Sequence, residues 1–342
     1  MFFKPYDLIS IGDITTDAFI RLKDAHIHCR INREDCELCL RFGDKVPFES
    51  IKIIKAVGNA ANTAVAGARL GLKTALVSNI GADQNGKDCL VELQKNKVVT
   101  SLVKVHKNKI SNYHFVLWYG NDRTILTNHI NYDYRLPRLF PAKWIYLTSI
   151  APDTHPYHTE IIEYLKKNKE VKLAFQPGTY QLKLGYVELK YLYERADFLS
   201  VNLDEAKKIL VGAKLKIDYI KNSGSTDIKK LLESVADLGP KLVAITDGPR
   251  GAYLYDGDHF YHMPIYPDPR PALERTGCGD AWSATFVSSL AMGKTPLEAL
   301  TLAPVNAMSV AQFVGSQEGL LTIDKIEWWL KQAPSDYKPR EI

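Results

Sequence analysis

The stretch GNAANTAVAGARLGLKTALVSNIG, residues 58–81, joins a helical pattern directly to a strand pattern. Its first half opens with Asn59 and Asn62 and continues in alanines and Gly67, small residues that let a helix pack closely against its neighbours. Its second half is a short apolar run bounded by glycines, which is typical of a buried strand. A helix that leads straight into such a strand is the unit from which α/β folds are built.

The same alternation continues on both sides of this stretch. Strand-like runs lie between helical patterns at YDLISIG (6–12), KWIYLTSI (143–150), VKLAFQP (171–177), ADFLSVN (196–202) and KLVAITDG (241–248). This order predicts an α/β fold with one mostly parallel sheet and helices on both of its faces.

Two segments break this rhythm, at residues about 18–56 and 106–131. Both alternate apolar and polar residues, as strands with one exposed face do. The second segment also contains Gly120, Asn121 and Asp122, a combination typical of a hairpin turn. We therefore expect a small β-sheet, appended to the main sheet and placed as a lid.

Composition limits the kind of partner. The 342 residues are 46% hydrophobic and 24% charged, with a mild net charge of +5 spread along the chain. There is no sustained basic arm, which argues against a nucleic-acid partner and favours a small anionic ligand. No apolar run reaches the ~18 residues of a membrane span, and the N-terminus lacks the pattern of a signal peptide. These features predict a cytoplasmic protein with no membrane partner.

The chain has five cysteines, an odd number that favours reduced thiols over a disulfide framework. Three of them lie in one segment, where His28, Cys29, Cys36 and Cys39 have spacings that could bind zinc. The alternative is that these cysteines are small hydrophobic residues of strands, since no second C-x2-C pair completes the pattern.

Polar residues and glycines follow several predicted strands, at the edge where ligands of such sheets bind. The candidates are Asp13, Asp17, Asn59, Asn62, Gly81, Asp83, Gly86, Asn202, Glu205, Thr246, Gly248 and Gly251. Each also has an ordinary structural explanation. Asn202 with Glu205, for example, fits a capping box at a helix start, and DGPRG fits a turn.

The stretch ERTGCGDAWSATF, residues 274–286, combines two glycines with a carboxylate just before a helical pattern. Gly277 and Gly279 expose backbone N–H groups that, with the positive end of a helix beginning near Asp280, would bind an anion such as phosphate. A carboxylate there repels an anion, so Asp280 is either a base that deprotonates an attacking hydroxyl or simply a helix cap. The sequence contains no G-x4-G-K-[ST] loop and no third glycine for a G-x-G-x2-G fingerprint.

The order of these motifs resembles the ribokinase-like (PfkB) family of carbohydrate kinases. The series is GD-x3-D, G-N-A-A-N, G-A-D-x2-G, N-x2-E, T-x-G-x2-G and T-G-C-G-D, and it runs from about Asp7 to Leu321. The resemblance implies a single kinase domain over residues 1–342, a lid through which relatives often form homodimers, and ATP-dependent phosphorylation of a hydroxyl on a sugar or nucleoside.

The resemblance also assigns roles to residues. It implies that Asp280 is the catalytic base and that the backbone of Gly277, Cys278 and Gly279 forms an anion hole. Substrate hydroxyls would contact Asp17, Gly58, Asn59 and Asn62, with Asp13 as a weaker candidate. On the nucleotide side it implies Asn202 and Glu205, which would organise Mg²⁺ and phosphate through water, and Thr246, Gly248, Gly251, Asn306 and Gly315.

Three departures from the family pattern leave details open. Glu274 and Arg275 replace the residues usual near a monovalent-cation site, so activation by K⁺ is in doubt, and Arg275 is a candidate phosphate ligand instead. Gln176 stands where many sugar kinases have Asp. The substrate is open among sugars, nucleosides and sugar phosphates. A non-catalytic sensor on the same fold is the alternative function.

Overall fold

The fold is built on one large sheet. The computed structural model describes residues 5–28, 36–120, 122–215 and 227–342. Within these residues the sheet has ten strands, which are, from one edge to the other, β16 (Arg340–Glu341), β15 (Phe260–Met263), β14 (Ala252–Tyr255), β13 (Leu242–Thr246), β12 (Phe198–Asn202), β11 (Lys172–Phe175), β10 (Ala142–Leu147), β1 (Tyr6–Ile11), β6 (Thr74–Gly81) and β7 (Val103–His106).

The strands from β13 to β7 are all parallel, and only the edge from β14 to β16 is antiparallel. β1 lies inside the sheet, where Ile11 pairs with Leu147 of β10 on one side and Val77 of β6 on the other. The predicted α/β fold with a mostly parallel sheet is therefore confirmed.

Helices cover both faces of this sheet. Those that the structure describes are α1 (Asn59–Arg69), α2 (Gln84–Lys95), α3 (His155–Lys167), α4 (Thr179–Leu184), α5 (Tyr186–Arg195), α6 (Leu203–Gly212), α7 (Ile228–Ala236), α8 (Cys278–Ala291), α9 (Pro296–Ala311) and α10 (Ile323–Leu330). Residues of α3, α5, α6 and α7 pack in one hydrophobic cluster, and those of α1, α8 and α9 pack against the other face. None of these helices is both long enough and apolar enough to cross a bilayer.

Helix α1 lies unusually close to the sheet and to α8. A Cβ atom on Gly67 would be 2.9 Å from Cγ2 of Thr74, and 3.3 Å from both Cδ2 of Leu8 and Oγ of Ser288. Ala60, Ala61, Ala64 and Ala66 of α1 are buried. The small residues thus let α1 pack directly against the main sheet and α8.

A second, four-stranded sheet forms the predicted lid. Its order is β5 (Phe48–Val57), β2 (Thr15–Leu22), β8 (Tyr113–Tyr119) and β9 (Asp122–Leu126). β2 and β8 are parallel, and β8 and β9 form the hairpin expected around residues 120–122, of which residue 121 lies outside the described residues. A further short pair joins β3 (His26–His28) to β4 (Glu37–Cys39).

The proposed zinc ligands do not form a metal site in the part of the chain that is described. No group of three or more histidine, cysteine or acidic side chains there could hold a metal ion. Cys29 lies outside the described residues. Cys36 is disulfide-bonded and Cys39 is an exposed free thiol, so the expectation of reduced thiols throughout is wrong at Cys36.

Candidate active site

Two cavities open at the carboxyl edge of the main sheet. The first, the lid-side cavity, is lined by Asp13, Ile14, Thr15, Asp17, Gly58, Asn59, Asn62, Asn112, His114, Ile125, Thr127, His129, Ser149, Thr179, Tyr180, Thr276, Asp280 and Ser316. The second, the edge-side cavity, is lined by Thr246, Gly248, Pro249, Gly251, Ala252, Pro264, Ile265, Tyr266, Asp268, Ala272, Arg275, Cys278, Gly279, Trp282, Pro304, Ala307, Met308 and Ala311. The loop 275–280 contributes to both, so the cavities meet there.

Most residues predicted for the site lie where the sequence placed them. The residues expected to contact substrate hydroxyls all line the lid-side cavity, together with Asp280. Thr246, Gly248 and Gly251 line the edge-side cavity, as do Cys278 and Gly279 of the expected anion hole.

Asn306 and Gly315, which were expected to line the nucleotide pocket, line neither cavity. Asn306 is fully buried, where its Nδ2 donates to Oγ1 of Thr285 at 2.8 Å and its Oδ1 accepts from the N–H of Leu321 at 2.9 Å. Gly315 has a φ of +95° and lies directly against Ile54 of the lid, so that a Cβ atom there would overlap the isoleucine. Both residues contribute to the fold through these contacts, and the nucleotide contact expected for them stays a prediction.

Asn202 and Glu205 form the capping box of α6. The N–H of Glu205 donates to Oδ1 of Asn202 at 2.8 Å, and the N–H of Asn202 donates to Oε2 of Glu205 at 2.9 Å. Neither residue lines the lid-side or the edge-side cavity. Burial raises the pKa of Glu205, and the negative charge of Asp280 raises it further. The two carboxyl groups therefore lie close enough to repel each other.

We call the loop before α8 the anion-binding turn, after the role that the sequence predicts for it. Gly277 is the N-cap residue, with a left-handed φ of +82°, and a Cβ atom there would be 2.6 Å from Cα of Ser316. A Cβ atom on Gly279 would meet nothing within 4 Å. Cys278 and Gly279 line the edge-side cavity, and the N–H of Cys278 donates to the carbonyl oxygen of Arg275 at 3.3 Å. Burial raises the pKa of the Cys278 thiol to about 12, so it stays protonated at neutral pH.

Asp280 is not the helix cap. Helix α8 begins at Cys278, two residues earlier than expected, and its N-cap makes no side-chain hydrogen bond. The carboxylate of Asp280 instead accepts a hydrogen bond from Nδ2 of Asn62, at 2.8 Å, and another from Gln176. Gln176 in turn accepts from the hydroxyl of the fully buried Tyr146. The glutamine that departs from the family pattern is therefore part of the support for Asp280.

Asn62 also has a role that the sequence did not indicate. Besides donating to Asp280, it accepts hydrogen bonds at Oδ1 from Oγ of Ser316 at 2.9 Å and from Nε2 of Gln317 at 3.0 Å. Both ends of its amide are thus bonded to protein groups. Asn62 positions Asp280, although it also lines the lid-side cavity.

The surroundings of Asp280 suit a proton acceptor. Burial raises its pKa, while the hydrogen bonds from Asn62 and Gln176 and the positive charge of Arg123 lower it. A carboxylate whose pKa is raised accepts a proton more readily than a free aspartate does. Arg123 belongs to β9 of the lid, and sequence reasoning did not single it out.

Both carboxylate oxygens of Asp13 are hydrogen-bonded to other parts of the protein. Its two oxygens accept from the hydroxyl of Tyr134 at 2.9 and 3.0 Å, and Oδ2 also accepts from the N–H of Ala151 at 2.7 Å. Burial raises the pKa of Asp13 to about 6. Asp17, by contrast, has a buried oxygen, Oδ1, without a hydrogen-bond partner in the described part of the protein.

Sequence reasoning missed two further groups with buried, unpartnered donors. Nε1 of Trp282 has no partner among the described residues, and Trp282 lines the edge-side cavity. Oγ1 of Thr276 likewise has no partner there, and Thr276 lines the lid-side cavity. Both residues lie in the stretch 274–286, but the pattern alone does not tell which of its side chains point toward a cavity.

Comparison with known proteins agrees with this geometry. The sequence profile of the "pfkB family carbohydrate kinase" family matches residues 53–323. The chain belongs to the pfkB family of carbohydrate kinases. As a member of this family it is a phosphotransferase with a hydroxyl group as acceptor. The prediction drawn from the order of the six motifs is therefore confirmed.

Relatives of this pfkB kinase differ in their acceptors. It is 25% identical to an ATP-dependent 6-phosphofructokinase of Thermoanaerobacterium thermosaccharolyticum, over 95% of this chain and 94% of that protein. It is 27% identical to a nucleoside kinase of Methanothermobacter thermautotrophicus, over 78% and 80%. A solved structure of Arabidopsis thaliana ribokinase, complexed with ribose and ATP, matches with a TM-score of 0.73 and 18% identity, over 96% of this chain and 99% of that one.

The two glycines of the anion-binding turn should respond to alanine in opposite ways. Gly279→Ala adds a methyl group to open space in the first turn of a helix, where alanine is favoured by roughly 0.5–1 kcal/mol, so the melting temperature should hold or rise. The same methyl group lies where phosphate would bind, and a misplacement there should lower kcat/KM for ATP on the order of 10²-fold.

The matched variant is Gly277→Ala, which forces alanine into a left-handed conformation and against Ser316. It should lose roughly 1–2 kcal/mol of stability. Thermal melting and steady-state kinetics on both proteins make the comparison. A Gly279→Ala protein of normal stability and normal ATP kinetics would contradict the anion hole.

The hydrogen bond from Gln176 to Asp280 should appear in the pH dependence of kcat. Because the bond favours the ionised carboxylate, Gln176→Leu should raise the pKa of Asp280 above its already raised value. Activity that needs ionised Asp280 is lost as pH falls through that pKa, so the acid limb of the profile should move to higher pH. The exposed Gln332→Leu is the control. An acid limb that stays in place in a folded Gln176→Leu variant would refute the role of Gln176.

Proposed function

We propose that this chain is an ATP-dependent kinase that transfers a phosphoryl group to a hydroxyl of a sugar or nucleoside, with Asp280 as the base. One observation carries the proposal. The carboxylate of Asp280 lines the lid-side cavity, one residue after Gly279, whose backbone lines the edge-side cavity. A hydroxyl in the first cavity and a phosphate in the second would therefore meet at Asp280.

The edge-side cavity suits a nucleotide. Trp282, Pro304 and Met308 supply apolar surface for a base, and Nε1 of Trp282 is a buried donor for it. Arg275 lines the same cavity near the anion-binding turn, where its charge suits the phosphates, as the sequence suggested. ATP is supported as the donor by the relatives, one of which is named ATP-dependent and another of which was solved with ATP.

The chemistry follows from these positions. As the acceptor oxygen forms its bond to the γ-phosphorus, the bond from that phosphorus to the bridging oxygen of ADP breaks. The hydroxyl proton passes to the carboxylate of Asp280. Backbone N–H groups at Gly277, Cys278 and Gly279 stabilise the charge on the phosphoryl oxygens. ADP leaves the edge-side cavity and the phosphorylated product leaves the lid-side cavity.

The residues near Asp280 fit a Mg²⁺ ion bound through water. Oε2 of Glu205 is used in the capping box, whereas Oε1 takes no part in that bond, and the carboxyl group lies within electrostatic reach of Asp280. Two nearby carboxylates and phosphate oxygens are the ligands that Mg²⁺ prefers. When bound, the ion would neutralise phosphate charge. Asn202 would act through the backbone bond that holds Glu205 in place.

The proposal also includes the domain organisation, the location and the homodimer that the sequence predicts. Residues 1–342 act as one cytoplasmic kinase domain. Ile51, Ile53, Phe115 and Leu126 lie on the lid face opposite Asp17 and His114 and are between 44% and 51% exposed, which suits a homodimer through the lid. The alternative of a non-catalytic sensor does not explain why two amides hold a carboxylate at the junction of the cavities.

Activity should not depend on K⁺. Both oxygens of the buried Glu274 carboxylate accept backbone hydrogen bonds, Oε2 from Thr276 at 2.7 Å and Oε1 from Gly315 at 3.0 Å. We propose that Glu274 joins these two loops directly. Replacement of K⁺ by tetramethylammonium at constant ionic strength should leave kcat unchanged, and a steep rise of kcat with added K⁺ would show this proposal to be wrong.

Asp280→Asn tests the base. The variant keeps the shape of the side chain but cannot accept a proton, so kcat should fall by ~10²–10⁴. Loss of a buried charge offsets a weakened hydrogen bond, so the melting temperature should change little, and ATP affinity should hold or improve because a negative charge near phosphate is removed.

The measurements are kcat, the nucleotide Kd and the melting temperature on one preparation, beside the exposed Asp336→Asn as control. A folded Asp280→Asn enzyme with near-normal kcat would rule out the mechanism. Failure of the unaltered protein to release ADP with any sugar, sugar phosphate or nucleoside would favour the sensor.

A further inference from the structure

The lid-side cavity is acidic. Its ionisable lining groups are the carboxyls of Asp13, Asp17 and Asp280 and the imidazoles of His114 and His129. No lysine or arginine lines it among the residues that the structure describes. The positive charge of Arg123 lowers the pKa of both Asp280 and Cys278. These two residues lie at the end of the cavity where phosphate would arrive. The part of the cavity distant from Asp280 therefore has no fixed positive charge for an anionic substituent.

Three buried polar atoms in this cavity have no hydrogen-bond partner in the described protein. They are Oδ1 of Asp17, Nε2 of His114 and Nδ1 of His129. Nδ1 of His114 lies 3.5 Å from Oδ1 of Asp17, and Nδ1 of His129 lies 4.0 Å from Oδ2 of Asp13. These side chains are only 12–16% exposed, so solvent cannot easily satisfy them. A bound ligand with several hydrogen-bonding groups would.

His129 matches a hydroxyl group better than an anion. Burial, together with the neighbouring His114, lowers the pKa of His129 to about 4, so this ring is neutral at pH 7. A neutral imidazole has one donor and one acceptor, as a hydroxyl does. Phosphate and carboxylate groups offer only acceptors and would face the charge of Asp17 without compensation.

The rings also form a continuous wall. His114 and His129 meet edge to face with centroids 5.2 Å apart, and Tyr180 of α4 meets His129 in the same way at 5.3 Å. All three residues line the lid-side cavity. Such a wall offers apolar ring surface to the C–H faces of a sugar ring and polar ring atoms to its hydroxyls.

We propose that His114 and His129, together with Asp17, select the acceptor by binding hydroxyl groups on an uncharged part of it. The acceptor is a neutral sugar, free or as part of a nucleoside, and sugar phosphates and sugar acids are rejected. The inference rests on the proposed kinase function and separates this chain from its 6-phosphofructokinase relative. No sequence motif pointed to either histidine.

The first experiment compares matched acceptors that differ in charge. ADP release is measured with fructose against fructose 6-phosphate and with glucose against gluconate, and then with ribose, adenosine, inosine and cytidine. The highest kcat/KM should belong to a neutral compound, and the same assay shows whether it is a free sugar or a nucleoside. A sugar phosphate or sugar acid as the best acceptor would overturn the inference and leave the proposed kinase function intact.

Calorimetric binding without ATP keeps the inference testable if no compound is phosphorylated. That result would count against the proposed function. Tighter binding of the neutral member of each pair would still support the selection, and tighter binding of the anionic member would refute it.

The second experiment alters the histidines. His114→Phe and His129→Phe keep a ring but lose its nitrogens, so each should raise KM for the best neutral acceptor by roughly 2- to 10-fold and leave KM for ATP unchanged. His114→Gln and His129→Asn, which place an amide near Nε2 and Nδ1 respectively, should restore part of the loss. The exposed His259→Phe is the matched control and should behave as the unaltered protein does.

A deoxy analogue of the best acceptor shows which hydroxyl each histidine binds. For the histidine that binds the deleted hydroxyl, the loss caused by phenylalanine should disappear with the deoxy compound. Variants with normal melting temperatures and an unchanged KM for the acceptor would refute the assignment of both histidines.

Discussion

A half-buried carboxylate held by two side-chain amides is the interaction on which the site depends. Asp280 comes from α8, Asn62 from α1 and Gln176 from the end of β11, three elements far apart in the chain. A buried charge is stable only when donors face it, so these elements must sit in one relative arrangement. The close approach of α1 to the sheet and to α8, which Gly67 permits, puts Asn62 within reach of Asp280.

The sequence predicts the fold well and the site in part. Parallel strands that are buried on both faces appear in the sequence as continuous apolar runs. The positions of these strands along the chain, and the polar residues that follow them, can therefore be found without a structure. The inner or outer orientation of a residue in an apolar helix is harder to predict. Asn306 lies in α9, which is hydrophobic nearly all round, so its position did not tell whether it faced a cavity or the packed core.

Contacts between distant segments are the part that sequence patterns could not supply. His114 faces Asp17 only because β8 pairs with β2 in the lid, and His129 follows the same hairpin toward Asp13. Asn62 lines the cavity that the sequence predicts for it. Its amide also forms hydrogen bonds with Asp280, Ser316 and Gln317, which the sequence did not indicate. The spacing of polar residues along the chain indicates that they lie near one another at the edge of the sheet. It does not tell whether a given side chain binds a ligand or another side chain.

The turn 315–317 links parts of the molecule that perform separate tasks. Gly315 touches Ile54 of the lid and donates to Glu274, Ser316 packs against Gly277, and Gln317 bonds to the amide that holds Asp280. A shift of β5 would therefore reach, through residues 315–317, both the anion-binding turn and the amide of Asn62 that holds Asp280. The lid, the loop before α8 and the support of Asp280 are thus joined through three consecutive residues of the chain.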